Sequence, residues 1–232
     1  QELIVTNENF SNAAVKFDKS NLLIETFFKQ NNHQIVVLPG FVALTEKGEV
    51  STLGRGGSDY TAAIITAAIN ASILEIWTDV SGMYTANPKI VKQAFPIKDI
   101  SYQEAMELSH FGAKVLYPPT IQPVLEKEIP IVIKNTFDAK ADGTLIAKVS
   151  SNTNPIKGIS HIENMTLITL EGSGMIGIPG FSKRLFGALS EQKINVSLIT
   201  QASSEHSICI SIHNSDAEKA KLAIDSEFSY EI

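Results

Sequence analysis

The chain reads as an α/β protein with a largely parallel sheet, followed by a smaller unit of ferredoxin-like order. Three observations carry this. Between positions 34 and 77 an apolar run, a glycine-rich turn, a proline-free helical stretch and a second apolar run succeed one another. Strand, helix and strand in that order imply parallel pairing. A turn-rich segment, Ser150-Ser151-Asn152-Thr153-Asn154-Pro155, then interrupts the chain. Beyond it the rhythm becomes strand, glycine loop, helix, strand, strand, helix, a ferredoxin-like unit short of its last strand.

In chain order, Gln1-Glu2-Leu3-Ile4-Val5-Thr6-Asn7 lacks a starting methionine and a basic stretch, so it is expected to be an interior strand end and not a targeting peptide. A helix is predicted over 20–31 and an apolar strand over 34–38. A second strand-like stretch follows Pro39-Gly40 and contains a Glu46-Lys47-Gly48-Glu49 turn. The helix after the glycine loop covers 60–71. The run 73–77 is a strand ending in Thr78-Asp79-Val80-Ser81-Gly82, which delivers polar groups at its carboxyl end. Helices are expected over 102–111, capped by Ser101, and over 119–127, with proline near its start. A strand over 129–133 completes the layer. In the second unit, strands are predicted over 165–170, 196–201 and 207–213, a glycine loop over 172–180, and helices over 181–192 and 216–228. Ile208, Ile210 and Ile212 share one strand face. The domains are therefore placed at 1–147 and 156–232, joined by a linker over 148–155, with the final strand of the second truncated.

Composition narrows the function. With 232 residues, 44% hydrophobic and 19% charged, the chain can bury a sizeable core. A net charge of -6 and no run of lysine and arginine argue against a nucleic-acid surface. The longest weakly polar stretch, 62–74, is too short to span a bilayer. Cys209, the single cysteine, excludes an intrachain disulfide and is expected to be a core thiol in a reducing, cytoplasmic setting. The five histidines are scattered, so no protein-bound metal is expected.

The most informative segment is Gly54-Arg55-Gly56-Gly57-Ser58-Asp59 at a helix start. Free N–H groups and the positive end of the helix dipole attract an anion there, and glycine lets the backbone approach closely. The spacing is neither the Walker pattern nor Gly-x-Gly-x-x-Gly. A plainer reading has Ser58 or Asp59 capping the helix and the glycines making an ordinary turn.

Four ordered motifs carry a resemblance over nearly the whole chain. They are 53–62, Trp77-Thr78-Asp79-Val80-Ser81-Gly82-Met83-Tyr84-Thr85, the stretch from Ser101-Tyr102-Gln103-Glu104-Ala105 to Phe111-Gly112-Ala113-Lys114-Val115-Leu116, and 118–123. Together they resemble aspartate kinase, most closely the kinase-plus-regulatory part of bifunctional aspartokinase/homoserine dehydrogenase. The resemblance implies the carboxyl-terminal half of an amino-acid-kinase fold followed by an ACT domain. It also implies transfer of the ATP γ-phosphoryl group to the side-chain carboxylate of aspartate, with magnesium on the nucleotide.

Such transfer depends on positioning and charge neutralisation. By resemblance, Arg55 grips a carboxylate of aspartate, a task suited to its planar fork. Ser58 and Asp59 stand beside it, and Asp59 either holds the substrate amine or helps to order the reacting groups, so that Arg55 and Asp59 are the implied catalytic pair. Gly56, Gly57, Thr78, Asp79, Tyr84, Lys89, Lys114 and Val115 are the implied nucleotide contacts. Lys134 and Asn135 are either surface residues or a further ATP contact. In the second unit, Met175, Ile178 and Phe181 of the glycine loop, with Asn195, Val196, Ser197 and Gln201 of the facing strand, are the implied effector site, although Met175, Ile178 and Phe181 could equally be core. Threonine is the favoured effector, with lysine the alternative, and a homo-oligomer is expected. The remaining readings are an amino-acid-sensing and oligomerisation module, or another enzyme of the amino-acid-kinase superfamily.

Three departures from the family pattern stand out. Lys89 replaces an arginine, Tyr117 replaces a histidine, and the Lys-Phe-Gly-Gly motif with its phosphate-facing lysine is absent. These 232 residues alone are therefore expected to lack useful kinase activity, since deleting such a group costs roughly 3–4 kcal/mol of transition-state stabilisation.

Overall fold

Two sheets and a shared helix hold the glycine-rich turn in place. The computed structural model describes residues 3–10, 13–110, 115–175, 177–202 and 206–229. The chain divides into two compact units, Gln1–His161 and Ile162–Ile232.

The first unit begins with β1 (Val5–Thr6), α1 (Phe17–Gln30), β2 (Val42–Thr45) and β3 (Val50–Thr52). β1 pairs parallel with β2, and β2 pairs antiparallel with β3 around the expected turn. α1 starts earlier than expected because Ser20 is buried inside it, where its Oγ accepts the Val5 N–H at 3.0 Å. The strand expected over 34–38 is not formed. Ile35 and Val37 are 83% and 89% exposed, and the run lies outside every sheet among the described residues. Apolar, β-branched composition favours a strand, but a strand needs a neighbouring edge to bond.

α2 (Gly57–Ala68) leads to β4 (Leu74–Thr78), β5 (Asp99–Ser101) and α3 (Tyr102–His110). A 3-10 turn, Pro118–Ile121, then runs into α4 (Gln122–Glu126), followed by β6 (Ile131–Asn135) and β7 (Thr144–Ala147). The sheet order is β4-β6-β7-β5. β4 and β6 are parallel, as expected, whereas β6 and β7 form an antiparallel hairpin that the sequence pattern did not disclose. α2 is nearly apolar all round because it serves two cores. Ala63 joins Leu74, Ile76, Val124, Ile131 and Ile133 on one side, and Ile64 joins Ile4, Ile24, Ala43 and Leu53 on the other.

Ser101 caps α3 through a reciprocal box. Glu104 N–H donates to Ser101 Oγ at 3.2 Å, and Ser101 N–H donates to the Glu104 carboxylate at 2.9 Å. The segment expected to be a linker is instead tied to the first unit. The Asp99 carboxylate accepts from the Ser150 and Ser151 hydroxyls and from the Ser151 and Asn152 N–H groups.

The second unit contains β8 (Met165–Glu171), α5 (Phe181–Glu191), β9 (Val196–Gln201), β10 (Ser207–His213) and α6 (Ala217–Glu227). Its antiparallel sheet runs β8-β10-β9, the order expected of a ferredoxin-like unit. Ile208, Ile210 and Ile212 pack with Leu185, Leu189, Ile224 and Phe228. Cys209, expected in the core, is only half-buried, because strand alternation turns it to the face opposite those isoleucines. The truncated final strand falls partly on 230–232, outside the described residues.

Candidate functional site

The glycine-rich turn is clamped where two backbones meet. Leu53 N–H donates to the Phe41 carbonyl at 2.9 Å, and Phe41 N–H donates to Thr61 Oγ1 at 3.0 Å. A Cβ on Gly57 would lie 2.8 Å from the Phe41 ring, and one on Gly40 would lie 2.9 Å from the Ser58 Cα. Only glycine allows both approaches. Phe41 itself has φ 73°, a left-handed conformation that is strained for an aromatic residue. Sequence reasoning missed Phe41, although Pro39-Gly40 just before it was the available signal.

Gly56, with φ 68°, occupies the N-cap position of α2, and no side chain caps the helix. The plainer reading of Ser58 or Asp59 as a cap is thereby excluded, since both lie inside the first turn. Ser58 is exposed and Asp59 half-buried. Burial holds the Asp59 carboxyl above its ordinary range, opposed by a hydrogen bond from Ser58. Arg55 is exposed, and its guanidinium carbon lies 5.7 Å from the centroid of the Tyr117 ring. A half-desolvated carboxylate and a guanidinium thus flank a helix start that attracts anions.

The second cluster sits at the carboxyl ends of β4 and β6. Thr78 pairs in register with Asn135, and the Thr78 hydroxyl donates to Asp79 Oδ1 at 3.2 Å. Asn135 Nδ2 donates to Ser81 Oγ at 2.9 Å, which joins the two strand ends. Lys134 lies over the Trp77 ring, its Nζ 5.1 Å from the centroid. Gly82, with φ 114°, presses on β7, where an added Cβ would meet Thr144 Oγ1 at 2.3 Å. Thr144 Oγ1 in turn accepts the Met83 N–H at 2.8 Å and donates to the Ile97 carbonyl at 2.6 Å. Tyr84, half-buried, bridges to Pro96. Lys89 is exposed, on a turn where its N–H donates to Asn87 Oδ1. Val115 is half-buried, and Lys114 lies outside the described residues.

α2 packs on β4 and is joined to it by the short connection 69–73, so the helix runs back along the strand. The start of α2 and the end of β4 therefore lie toward the same edge of the layer. A cavity of about 530 Å³ receives Ser58 and Thr61, together with Phe28, Gln34, Val36 and Leu38. Thr78, Asp79, Tyr84 and Lys89 form no part of its wall. Among the described residues no group of three or more His, Cys, Asp or Glu is placed to hold a metal ion. No helix among them is long and apolar enough to cross a membrane.

In the second unit a cavity of about 400 Å³ opens at the head of α5. Of the effector residues, Met175, Ile178, Phe181 and Gln201 line it. Met175 and Phe181 are also core residues, 3% and 6% exposed. Asn195, just before β9, and Val196 and Ser197 at its start lie at the opposite end of the strand from Gln201, roughly 13–20 Å away at ~3.3 Å per residue.

Residues 2–135 match the amino acid kinase family, and residues 168–228 match an ACT domain. The chain is 40% identical over 232 residues to bifunctional aspartokinase/homoserine dehydrogenase 1 of Arabidopsis thaliana, a chloroplastic protein, covering 97% of this chain and 26% of that one. Two crystal structures of E. coli aspartokinase III align with a TM-score of 0.76 and 36% identity, covering 91% of this chain and 47% of theirs. One holds lysine and aspartate in a T-state, the other aspartate and ADP in an R-state. The chain thus spans about a quarter of the Arabidopsis protein and about half of the bacterial one.

Proposed function

We propose that this chain, which belongs to the amino acid kinase family and carries an ACT domain, is the catalytic and regulatory part of an aspartate kinase. The enzyme transfers the ATP γ-phosphoryl group to the side-chain carboxylate of aspartate, giving 4-phosphoaspartate. The observation that carries this reading is the placement of an exposed Arg55 and a half-buried Asp59 on one glycine-rich helix start. Aspartate brings two carboxylates and one ammonium. Arg55 binds a carboxylate through its fork, and Asp59 recovers its ionised form by facing the ammonium. Likeness to aspartokinase III, which was solved with aspartate and ADP, supports the same assignment.

ATP is assigned to the ends of β4 and β6. Thr78, Asp79, Tyr84 and Lys89 contact it, with Gly56 and Gly57 toward its phosphates and Lys114 and Val115 further along. Magnesium keeps most of its waters and phosphate ligands and needs only one or two carboxylates. Asp79 with the Thr78 hydroxyl fits that demand, and the ion supplies charge neutralisation when it arrives with the nucleotide.

Effector binding is assigned to the loop before α5. Threonine is the favoured ligand and lysine, present in the T-state relative, the alternative. Asn195, Val196 and Ser197 would reach an effector only from a second copy, so the ACT site is completed in a homo-oligomer. Likeness to the bifunctional Arabidopsis enzyme supports a homoserine dehydrogenase in the same polypeptide. A cytoplasmic setting is the remaining part of the assignment.

The test is a coupled ADP-release assay on the intact gene product with aspartate, glutamate and uridylate as acceptors. Aspartate-dependent turnover whose aspartate KM rises by an order of magnitude or more in Arg55→Ala, with measurable activity left, is the expected result. Preference for either other acceptor would transfer the chain to another enzyme of the superfamily.

A further inference from the structure

We infer that Tyr117 is a positioning residue for Arg55, its ring holding the guanidinium in the orientation that receives a substrate carboxylate. The inference rests on the aspartate kinase reading and extends it to a residue with no assigned role.

The backbone at Arg55 is a closed turn, Gly57 N–H donating to the Gly54 carbonyl at 3.1 Å, but the Arg55 side chain is exposed. Gly54 and Gly56 flank it with φ 70° and 68°, and nothing lies within 4 Å of the place a Cβ on Gly54 would occupy. The long Arg55 side chain keeps its rotamer freedom unless another surface orders it. A bidentate contact gains little from a guanidinium that must first be ordered. An outside surface is needed to hold it.

Tyr117 has the opposite character. Leu116 before it is buried, Ile121 shortly after it is fully buried, and both belong to the core that contains Ala63 of α2. Pro118 follows directly, which confines Tyr117 to extended backbone, and its φ of -95° and ψ of 112° agree. Tyr117 itself is 38% exposed, while its neighbours Leu116 and Ile121 are buried. Its centroid lies 5.7 Å from the Arg55 guanidinium carbon, within the range at which a ring face attracts a cation. An aromatic anchored through its neighbours thus faces an exposed, flexible cationic side chain.

The experiment compares Tyr117→Leu, Tyr117→Phe and Arg55→Ala in the intact gene product, alone and as the Tyr117→Leu/Arg55→Ala pair. Tyr117→Leu is expected to raise the aspartate KM about two- to five-fold, the range of an exposed cation–π contact. The ATP KM, kcat and thermal midpoint should stay close to those of the parent. Tyr117→Phe keeps the ring and should behave like the parent. In the Arg55→Ala background, Tyr117→Leu should add nothing. An unchanged aspartate KM in Tyr117→Leu, a Phe variant as impaired as the Leu variant, or an undiminished effect without Arg55 each overturns the inference. If Arg55→Ala itself leaves the aspartate KM unchanged, the substrate role of Arg55 fails and the role of Tyr117 falls with it. Strong dependence on Arg55 with indifference to Tyr117 would remove this inference alone.

Discussion

Asp59 and Asp99 show how one residue type is tuned in opposite directions. Burial raises the Asp59 carboxyl, against a smaller pull from Ser58. A raised acid favours the protonated form in the fold, so its stabilising contribution is greatest below the unfolded value and is lost as pH rises through the folded one. Asp59→Asn should therefore fold at least as stably at pH 7 in urea titrations, while aspartate binding weakens by an order of magnitude or more. A variant that loses stability and keeps its aspartate affinity would refute the site role. Asp99 is lowered from 3.8 to about 2, first by the Ser150 and then by the Ser151 side-chain hydrogen bonds. Its contribution is present above 3.8 and lost as pH falls toward 2. Protection of the Ser151 and Asn152 amides, measured relative to their intrinsic exchange rates, should fall across that window, and Asp99→Ala should show the lowered protection already at pH 7.

At the level of elements, α2 determines how rigidly the site is held, because two cores grip it while Phe41 presses on its start. Gly57→Ala introduces a Cβ 2.8 Å from the Phe41 ring and 3.1 Å from the Leu53 Cβ. Overpacking of this kind costs about 1–3 kcal/mol. Chemical denaturation should show that loss, together with a weakened aspartate KM, since the clamp and the substrate turn are one structure. Thr144→Val tests the other strand end. It keeps the volume but strips the partner from Met83 N–H and Ile97 C=O, and two buried groups left unsatisfied cost about 2–6 kcal/mol together. The midpoint in urea should fall with an unchanged slope. Nothing in the residue pattern announced this pairing, because Thr144 and Met83 are 61 positions apart.

For the whole molecule, each unit has its own core, so residues 162–232 alone should fold, giving dispersed amide resonances. Calorimetry on the 232-residue polypeptide should register binding of threonine or lysine, with phosphoryl transfer to aspartate below roughly one per cent of the intact enzyme, as a 3–4 kcal/mol loss requires. Near-normal turnover would show that the absent Lys-Phe-Gly-Gly lysine is dispensable. The sequence by itself determined the α/β class, the helix after Gly56, the β8 to α6 order and the family likeness. These follow from local period, turn chemistry and motif spacing, all of which act over a few residues. Only the tertiary structure decided that 34–38 forms no strand, that Gly56 and not Ser58 or Asp59 heads α2, that Asp99 holds 150–152, and that Tyr117 meets Arg55. Each of those depends on which distant backbone or ring comes into contact, and that is set by packing between elements, which no local pattern encodes.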